Sequence, residues 1–350
     1  MLTRLSLTDF RNHRDTLIEP ASGFNILTGP NGAGKTNILE AVSLLAPGRG
    51  LRRAPLRQMA REKGAGGFAI SARLTDGTNI GVGTRASTPD RREVRINETT
   101  VPAASLAERL AILWLTPAMD RLFLEGASGR RQFLDRLTLA LEPGHAAQAT
   151  RYEKAMRERN RLLAEELRPD PAWLEGVEAA MAEAGHALHD ARMRTVAALS
   201  DAAPDGDDFP AATLELEGYD GADLGAALAA SRQRDAAAGR TLVGPHRSDL
   251  QVTYAAKGQA AALCSTGEQK ALLLGIILAH GELVAQRRDM APILLLDEVA
   301  AHLDPDRRAA LFVRLRGRGQ VFMTGTEPGL FDAAGDAARW RVENGEAVSA

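Results

Sequence analysis

The sequence is poor in cysteine, in aromatic residues and in net charge. Cys264 is its single cysteine, which excludes an internal disulfide framework and fits a reducing, cytoplasmic location. Lys and Arg number 43 against 45 Asp and Glu, and the net charge of −2 excludes a uniformly basic nucleic-acid coat. Aromatic residues make up only 4% of the chain, so stacking on single-stranded bases is not favoured.

Long apolar runs are missing as well. The longest, around residues 271–279, is about half of the roughly 20 residues that a membrane helix needs. The N-terminal stretch MLTRLSLTDFRNHRD is charged from its first turn and lacks the apolar segment of a signal peptide. We therefore predict a protein with no membrane partner, and 350 residues suffice for one large domain or two medium ones.

Strand patterns occur at both ends of the chain. Residues 2–8 alternate between apolar and polar side chains, and residues 23–28 predict a second strand. Residues 67–101 look like several short strands, separated by turn signals such as Asp76-Gly77. Near the C terminus, the apolar run at residues 293–296 predicts a buried strand.

The centre of the chain has helical periodicity instead. Apolar residues recur at helical spacing over residues 129–167 and again over 172–199, with a Pro-rich turn between the two segments. Residues 200–208, SDAAPDGDD, predict a loop. We therefore predict an α/β fold closed by both ends of the chain, with an N-terminal part at 1–126, a mainly helical inserted arm at 127–235 and a C-terminal part at 236–350.

Residues 29–36, GPNGAGKT, match the phosphate-loop pattern G-x-x-x-x-G-K-[ST], and they lie between a strand pattern and a helical pattern. Backbone N–H groups of such a loop surround phosphate oxygens at a helix N-terminus. Lys35 would reach the β- and γ-phosphates, and Thr36 would bind Mg²⁺. The structural alternative is a glycine-rich turn that happens to carry Lys-Thr. The predicted ATP-binding residues here are Gly29, Pro30, Asn31, Gly32, Ala33, Gly34, Lys35 and Thr36.

A second candidate site is PILLLDE at residues 292–298, an apolar strand that ends in two carboxylates. Asp297 is predicted to hold Mg²⁺, and Glu298 to orient and deprotonate the attacking water, with Lys35 completing the catalytic set. A buried strand with a capped end would look the same. Its pairing with a phosphate loop upstream is what favours nucleotide hydrolysis. Asp304 before Pro305 would serve equally well as a plain helix N-cap.

Together these motifs resemble those of the ATP-binding-cassette (ABC) ATPases. NGAGKT, LLLDE and the following LDP have that family's spacing, and CSTGEQK at residues 264–270 falls where the family keeps its signature loop. The commoner form is LSGGQ, and the frame Ser265-x-Gly267-x-Gln269 is kept here. The resemblance implies an ABC-type ATPase head in which Ser265, Gly267 and Gln269 cap ATP bound by a second copy. An ATP-dependent homodimer would follow.

The resemblance is closest to the SMC and RecF group. FRNH at residues 10–13 is similar to the start of proteins of the SMC, Rad50 and RecF group. Segments similar to the RecF family occur in order along most of the chain: GRGLR at 48–52, GRRQFLD at 129–135, YEKAMRERNRLL at 152–163, GPHRSD at 244–249 and STGEQKALLL at 265–274. This adds Arg11 and Asn12 to the predicted nucleotide-binding residues. It implies a weak, DNA-stimulated ATPase of recombinational repair and replication-fork maintenance. Such a protein would act with RecO and RecR and promote RecA loading at single-strand gaps.

Two departures from the ABC pattern concern turnover. Thr324-Gly325-Thr326 stands where the switch histidine is usual, and Gln58 is only a weak candidate for the usual glutamine. Both departures favour slow hydrolysis, with ATP acting as a dimer clamp. They count against the main alternative, the nucleotide-binding subunit of a transporter, which would also have a shorter helical insertion. A long coiled-coil DNA bridge fails because the predicted helices are too short.

Arginines cluster even though the total charge is balanced. Phosphate contacts need such clusters and no sequence code, so duplex DNA, including gap junctions, is the predicted partner. A solvated surface, or pairing with internal carboxylates, is the alternative for each cluster, and no role is assigned to His246 or Arg247. The DNA-binding candidates are Arg49, Arg52, Arg53, Arg57, Arg130 and Arg131, and a further trio beside a hairpin is Arg91, Arg92 and Arg95.

Overall fold

The structure, a computed structural model, describes residues 1–164, 170–202 and 209–350. Its strands are β1 (Leu2–Phe10), β2 (His13–Ile18), β3 (Phe24–Thr28), β4 (Phe68–Leu74), β5 (Asn79–Arg85), β6 (Thr88–Ile96), β7 (Thr99–Thr100), β8 (Ile112–Leu115), β9 (Ala212–Glu217), β10 (Asp249–Tyr254), β11 (Gln259–Ala260), β12 (Ile293–Leu296), β13 (Gln320–Gly325), β14 (Ala337–Glu343) and β15 (Glu346–Ser349). Its α-helices are α1 (Lys35–Ser43), α2 (Ala127–Leu141), α3 (His145–Ala164), α4 (Pro171–Asp201), α5 (Leu224–Ala238), α6 (Thr266–Arg288) and α7 (Pro305–Leu315).

The described residues divide into two compact units. The first contains residues 1–120 and 273–350 together with Phe209, and the second contains residues 121–202 and 210–272 apart from the gap at 165–169. The second unit therefore extends beyond the arm that the sequence predicts, which ends at residue 235. The reason is strand pairing, because β10 bonds along its whole length to β9, which follows α4 in the chain. The signature segment consequently belongs to the second unit.

The helical centre has one break that the apolar periodicity does not predict. A single helix is expected over residues 129–167, but α2 ends at Leu141 and α3 begins at His145. Pro143-Gly144 lies between them, and proline lacks the N–H that a continuous helix would need. The second predicted helix is confirmed as α4, which Asp170 caps by accepting from the Ala172 N–H. Parts of the predicted turn and loop, residues 165–169 and 203–208, lie outside the described residues.

Two sheets build the first unit. One is antiparallel, in the order β2-β1-β4-β5-β6-β7, and the other has the order β15-β14-β3-β13-β12-β8. In the second sheet, β14, β3, β13, β12 and β8 run parallel. Strands β12 and β13 are buried along their whole length, as parallel strands covered on both faces are. The core includes Ile38, Leu39 and Val42 of α1.

This strand order determines where the site forms. The phosphate loop follows β3, the acidic pair follows β12, and β13 lies between these two strands and carries Thr324 at its end. Parallel strands end at the same edge of a sheet, and ligands bind at that edge in open α/β sheets. Three segments from opposite ends of the chain therefore meet in one unit.

In the second unit, helices α3, α4 and α5 pack around an apolar cluster that includes Tyr152, Met181, Leu188 and Leu228. Tyr152, with Met156 packed against this cluster, thus has the packing role that the helical spacing predicts. Among the helices of the described residues, none has both the length and the apolar character needed to cross a membrane.

Candidate nucleotide-binding site

The phosphate loop depends on glycine for its shape. Gly29, Gly32 and Gly34 have φ values of 151°, 81° and 118°, which side chains with a Cβ rarely adopt. At Gly34 a Cβ would also lie only 2.8 Å from His13 Nε2 and from Asn12 Oδ1. The loop then enters α1 at Lys35, so the first N–H groups of that helix are available to an anion.

A hairpin turn between β1 and β2 supports the loop from behind. Asn12 Nδ2 donates to the Ala33 carbonyl at 2.9 Å, and the His13 ring lies 3.1 Å from the Gly34 carbonyl and 2.7 Å from that of Gly345. Burial lowers the pKa of His13, while the hydrogen bonds to these two carbonyls act in the opposite direction. Sequence reasoning did not select His13 as a site residue, although the FRNH segment contained the signal.

Arg11 is hydrogen-bonded to α1, the helix that follows the phosphate loop. Its guanidinium donates twice to Glu40, at 2.8 and 2.6 Å, and once to the Gln58 carbonyl at 2.8 Å. Glu40 is fully buried on α1, and Arg52 also contacts it at 3.1 Å. A buried carboxylate needs such partners because an unpaired one is strongly destabilising. Nucleotide contact by Arg11 and Asn12 stays a prediction, since here both residues brace the loop and its helix.

The four motif residues with predicted chemical roles come together. Lys35 Nζ donates to the Gly29 carbonyl at 2.7 Å and lies 3.7 Å from Glu298 Oε1. Thr36 Oγ1 donates to Asp297 Oδ1 at 2.8 Å. Lys35 and Asp297 are buried, while Glu298 remains partly exposed, as a group that contacts water would be. The structure therefore assembles the site, and the role of each residue in hydrolysis stays a prediction.

The oxygen atoms of Thr36 and Asp297 fit Mg²⁺. This ion prefers hard oxygen donors and usually takes one or two protein ligands together with phosphates and water. Within the described part of the chain, no group of three His, Cys, Asp or Glu side chains could hold a metal ion alone. An ion at Thr36 and Asp297 would thus depend on the nucleotide. When bound, it would neutralise charge on the phosphates.

Thr324 is a site residue that sequence reasoning missed. The sequence shows only that Thr324-Gly325-Thr326 stands where a switch histidine is usual. The Thr324 hydroxyl donates to Asp297 Oδ1 at 2.7 Å and accepts from the Glu298 N–H at 2.9 Å. No local pattern predicts this contact, because it depends on β13 lying beside β12.

The signature segment forms the N-terminus of α6 in the second unit. The N–H and hydroxyl of Ser265 both donate to Glu268 at 2.8 Å, and Lys257 pairs with the same carboxylate. This is a capping box, and the bonds from Lys257 and Ser265 lower the pKa of Glu268 to about 2. Ser265 and Gly267 are exposed, as contact with a second chain requires. Gln269 is buried and donates to the Cys264 carbonyl, which makes it a brace of the loop.

The DNA-binding candidates of the first unit differ in their partners. Arg49 and Arg53 are exposed, and their side chains have no hydrogen bond or ion pair among the residues that the structure describes. Arg57 is also exposed but pairs with Asp90 at 2.6 Å. Arg52 pairs with the buried carboxylate of Glu40, which Arg11 also contacts, and part of the Arg52 side chain remains in solvent. Arg49 and Arg53 are therefore the most available to phosphate.

Arg130 and Arg131 are engaged within the second unit. Arg130 forms two bonds with Asp249, at 2.8 and 2.6 Å, and Arg131 donates to the Ser248 carbonyl at 2.9 Å. Both therefore hold the GPHRSD segment at the start of β10. This is the internal pairing that the sequence left as the alternative for such clusters. DNA contact by these two arginines stays an untested prediction.

The phosphate loop, the acidic strand end and the inserted helices define an SMC-like ATPase head. The family model "RecF/RecN/SMC N terminal domain" matches residues 1–347. The chain is 51% identical to the DNA replication and repair protein RecF of Mesorhizobium japonicum, over 95% of this chain and 93% of that protein. It is 50% identical to RecF of Rhizobium johnstonii, over 97% and 96% of the two chains. The chain belongs to the RecF family within this class.

Solved structures agree with this fold. The structure described as the recombination mediator protein RecF-ATP in the RecFOR pathway has a TM-score of 0.85 and 23% identity, over all of this chain and 97% of that one. The Smc head domain of Pyrococcus furiosus has a TM-score of 0.55 and 17% identity, over 100% and 96%. The predicted head with a helical insertion is thus confirmed, and the family excludes the transporter subunit.

Proposed function

We propose that the protein is an ATP-gated DNA clamp of recombinational repair and replication-fork maintenance. ATP on the phosphate loop of one copy is capped by Ser265 and Gly267 of a second copy, and the dimer grips duplex DNA near single-strand gaps. The observation that carries the proposal is the assembled site, with Lys35 Nζ 3.7 Å from Glu298 and Thr36 2.8 Å from Asp297. An ATP-bound RecF with the same fold supports it.

The family supports the proposed partners. The similar RecF proteins are named for DNA replication and repair, and the solved RecF structures are described within the RecFOR pathway. In this proposal the protein acts with RecO and RecR in the cytoplasm and promotes loading of RecA. The single, buried cysteine is compatible with a reducing compartment.

Hydrolysis would be slow and would reset the clamp. Lys35 exchanges its bonds to loop carbonyls for bonds to the phosphates, Thr36 and Asp297 hold Mg²⁺, and Glu298 takes the proton of the attacking water. Thr324-Gly325-Thr326 stands where the switch histidine is usual, and the hydroxyl of Thr324 is already bonded to the acidic pair. We therefore propose a weak, DNA-stimulated ATPase in which ATP serves chiefly as the dimer switch.

The DNA surface is proposed to include Arg49 and Arg53, with Arg52 and Arg57 at its edge. The first two are exposed and carry no internal ion pair among the described residues, so binding phosphate would break no existing contact. Phosphate contacts of this kind release counterions, and affinity then falls steeply with salt. Arg130 and Arg131 would have to give up bonds to Asp249 and Ser248, which makes them weaker candidates.

The test is DNA binding with and without ATP on single-stranded, duplex and gapped substrates. We expect ATP to tighten binding to duplex and gapped DNA, and Lys35→Ala to remove that effect. Arg49→Ala and Arg53→Ala should each reduce the slope of log affinity against log salt by about 1, because each removes one phosphate contact. Arg73→Ala, exposed on β4 and outside the arginine clusters, is the matched control. Identical affinities with and without ATP would overturn the clamp.

A further inference from the structure

We propose that Thr324 is a positioning residue for Glu298 and acts through the protein backbone without touching the nucleotide. The inference rests on the proposed hydrolysis and adds a residue to it. Thr324 is 1% exposed, and its hydroxyl has one proton and two partners. It donates to Asp297 Oδ1 at 2.7 Å, and its oxygen accepts from the Glu298 N–H at 2.9 Å. One hydroxyl therefore joins the side chain of one acid to the backbone of the next.

The backbone at Glu298 is unusual. Its φ is 56°, in the left-handed region that residues with a Cβ seldom occupy. Such conformations persist only where the surroundings impose them, and they concentrate at functional sites. The hydrogen bond from the Glu298 N–H to Thr324 helps to impose the left-handed conformation of Glu298, because it fixes the peptide just before the strained Cα.

The left-handed turn has a chemical consequence. Side chains of adjacent residues on a regular strand point to opposite faces, so two neighbouring acids would normally serve different sites. Here Asp297 contacts Thr36, and Glu298 lies 3.7 Å from Lys35 Nζ, so both carboxylates face residues of the same phosphate loop. The turn at Glu298 makes this convergence possible, and the Thr324 hydroxyl is bonded to both Asp297 and Glu298.

Thr324 and Thr36 differ in whether their hydroxyl can leave Asp297 to bind another ligand. Both hydroxyls donate to the same oxygen, Asp297 Oδ1. Thr36 is the last residue of the phosphate loop and is partly exposed, whereas Thr324 is buried near a strand end. If Thr36 turns to another ligand, Thr324 still orients the carboxylate of Asp297 and the backbone of Glu298. The geometry of the acidic pair is thereby independent of what Thr36 binds.

The experiment compares Thr324→Val, which keeps the shape and removes the hydroxyl, with Thr324→Ser, which keeps the hydroxyl. Turnover, KM, the dissociation constant for ATP and ATP-dependent dimer formation are measured for both. We expect valine to lower kcat by about 10- to 100-fold, because small misplacements of a catalytic group have effects of that size. ATP affinity and dimer formation should stay within about threefold, and serine should restore most of the turnover.

A second comparison separates positioning from a purely structural role. If Thr324 acts through Glu298, adding Thr324→Val to Glu298→Gln should cause little further loss of turnover, because the group it positions is already disabled. A full additional loss would overturn the inference. So would parent-level turnover in Thr324→Val, or equal losses of kcat and ATP affinity.

The two proposals can fail separately. If Glu298→Gln turns over ATP as fast as the parent, the proposed hydrolysis is wrong and Thr324 has nothing to position. If Glu298→Gln is inactive but Thr324→Val is not, only the role of Thr324 is wrong. Should the valine variant not fold, Thr324→Ser decides: parent-level turnover supports the hydroxyl's role, and a loss above tenfold contradicts it.

Discussion

At the scale of single residues, the partner of a charge decides its role, and Arg92 shows this best. The sequence groups it with two other arginines beside a hairpin. In the structure it is half-buried and donates to the carbonyls of Gly48 at 2.7 Å, Ala46 at 3.0 Å and Leu44. These carbonyls follow α1 and have no helical partners of their own. Burial lowers the pKa of Arg92 to about 10, so it is still charged at neutral pH.

Arg92→Met should therefore lower the free energy of unfolding by about 1–3 kcal/mol, because it removes charge-assisted hydrogen bonds to three carbonyls that follow α1. The measurement is the urea midpoint with its slope. Arg95→Met, exposed on the same strand, is the control and should change stability by no more than about 0.5 kcal/mol. Equal losses in the two variants would show that Arg92 has no special role in stability.

Residues that belong to a local sequence motif could be predicted from the sequence. Lys35, Thr36, Asp297 and Glu298 were all found this way, and the structure brings them within hydrogen-bond or ion-pair distance. Residues whose role depends on a distant partner could not. Arg130 and its acid are 119 positions apart, and no periodicity links them.

At the scale of elements, hairpins and long helices were predictable, but the order of strands in the sheets was not. Asp76-Gly77 joins β4 to β5 as its turn chemistry predicts. The insertion of β13 between β3 and β12 depends on tertiary packing, and it is what places Thr324 in the site. Pro143-Gly144 was an overlooked local signal, since proline alone is sufficient reason for a helix break.

Buried charges connect the helices of the second unit. Arg159 on α3 is fully buried and donates to Glu178 of α4 at 2.9 Å and to Asp235 of α5 at 2.7 Å. Its sequence context indicated only helical packing with interleaved arginines. Because three helices meet at one guanidinium, the network specifies how these helices pack beside the apolar cluster.

Arg159→Met should destabilise the protein by about 3–5 kcal/mol, because it leaves Glu178 and Asp235 buried without their shared partner. Thermal or urea unfolding measures this loss. Arg157→Met on the exposed face of the same helix is the matched control and should be nearly neutral. If the Arg159 variant is as stable as the Arg157 variant, the ionic network does not hold these helices together.

At the scale of the whole molecule, the two halves of the proposed ATP site belong to different units. The phosphate loop lies in the first unit and the signature segment in the second. Ser265 is exposed, and its two donors are taken by Glu268 of its own chain. In the proposed dimer those donors turn to the γ-phosphate of the partner copy, so dimer formation exchanges an internal bond for one across the interface.

Ser265→Arg should abolish this exchange, because a bulky cation would replace the small donor at the interface. We expect ATP binding to the monomer to be unchanged, while the ATP-dependent dimer and hydrolysis are lost. Sedimentation velocity with and without ATP measures dimer formation. Ser200→Arg, at the exposed end of α4, is the control. Glu298→Gln should do the opposite and retain the dimer on DNA, since it keeps the interface and disables the reset. If Ser265→Arg and the parent sediment identically with ATP, capping by a second copy is wrong, whatever the DNA affinity of the monomer.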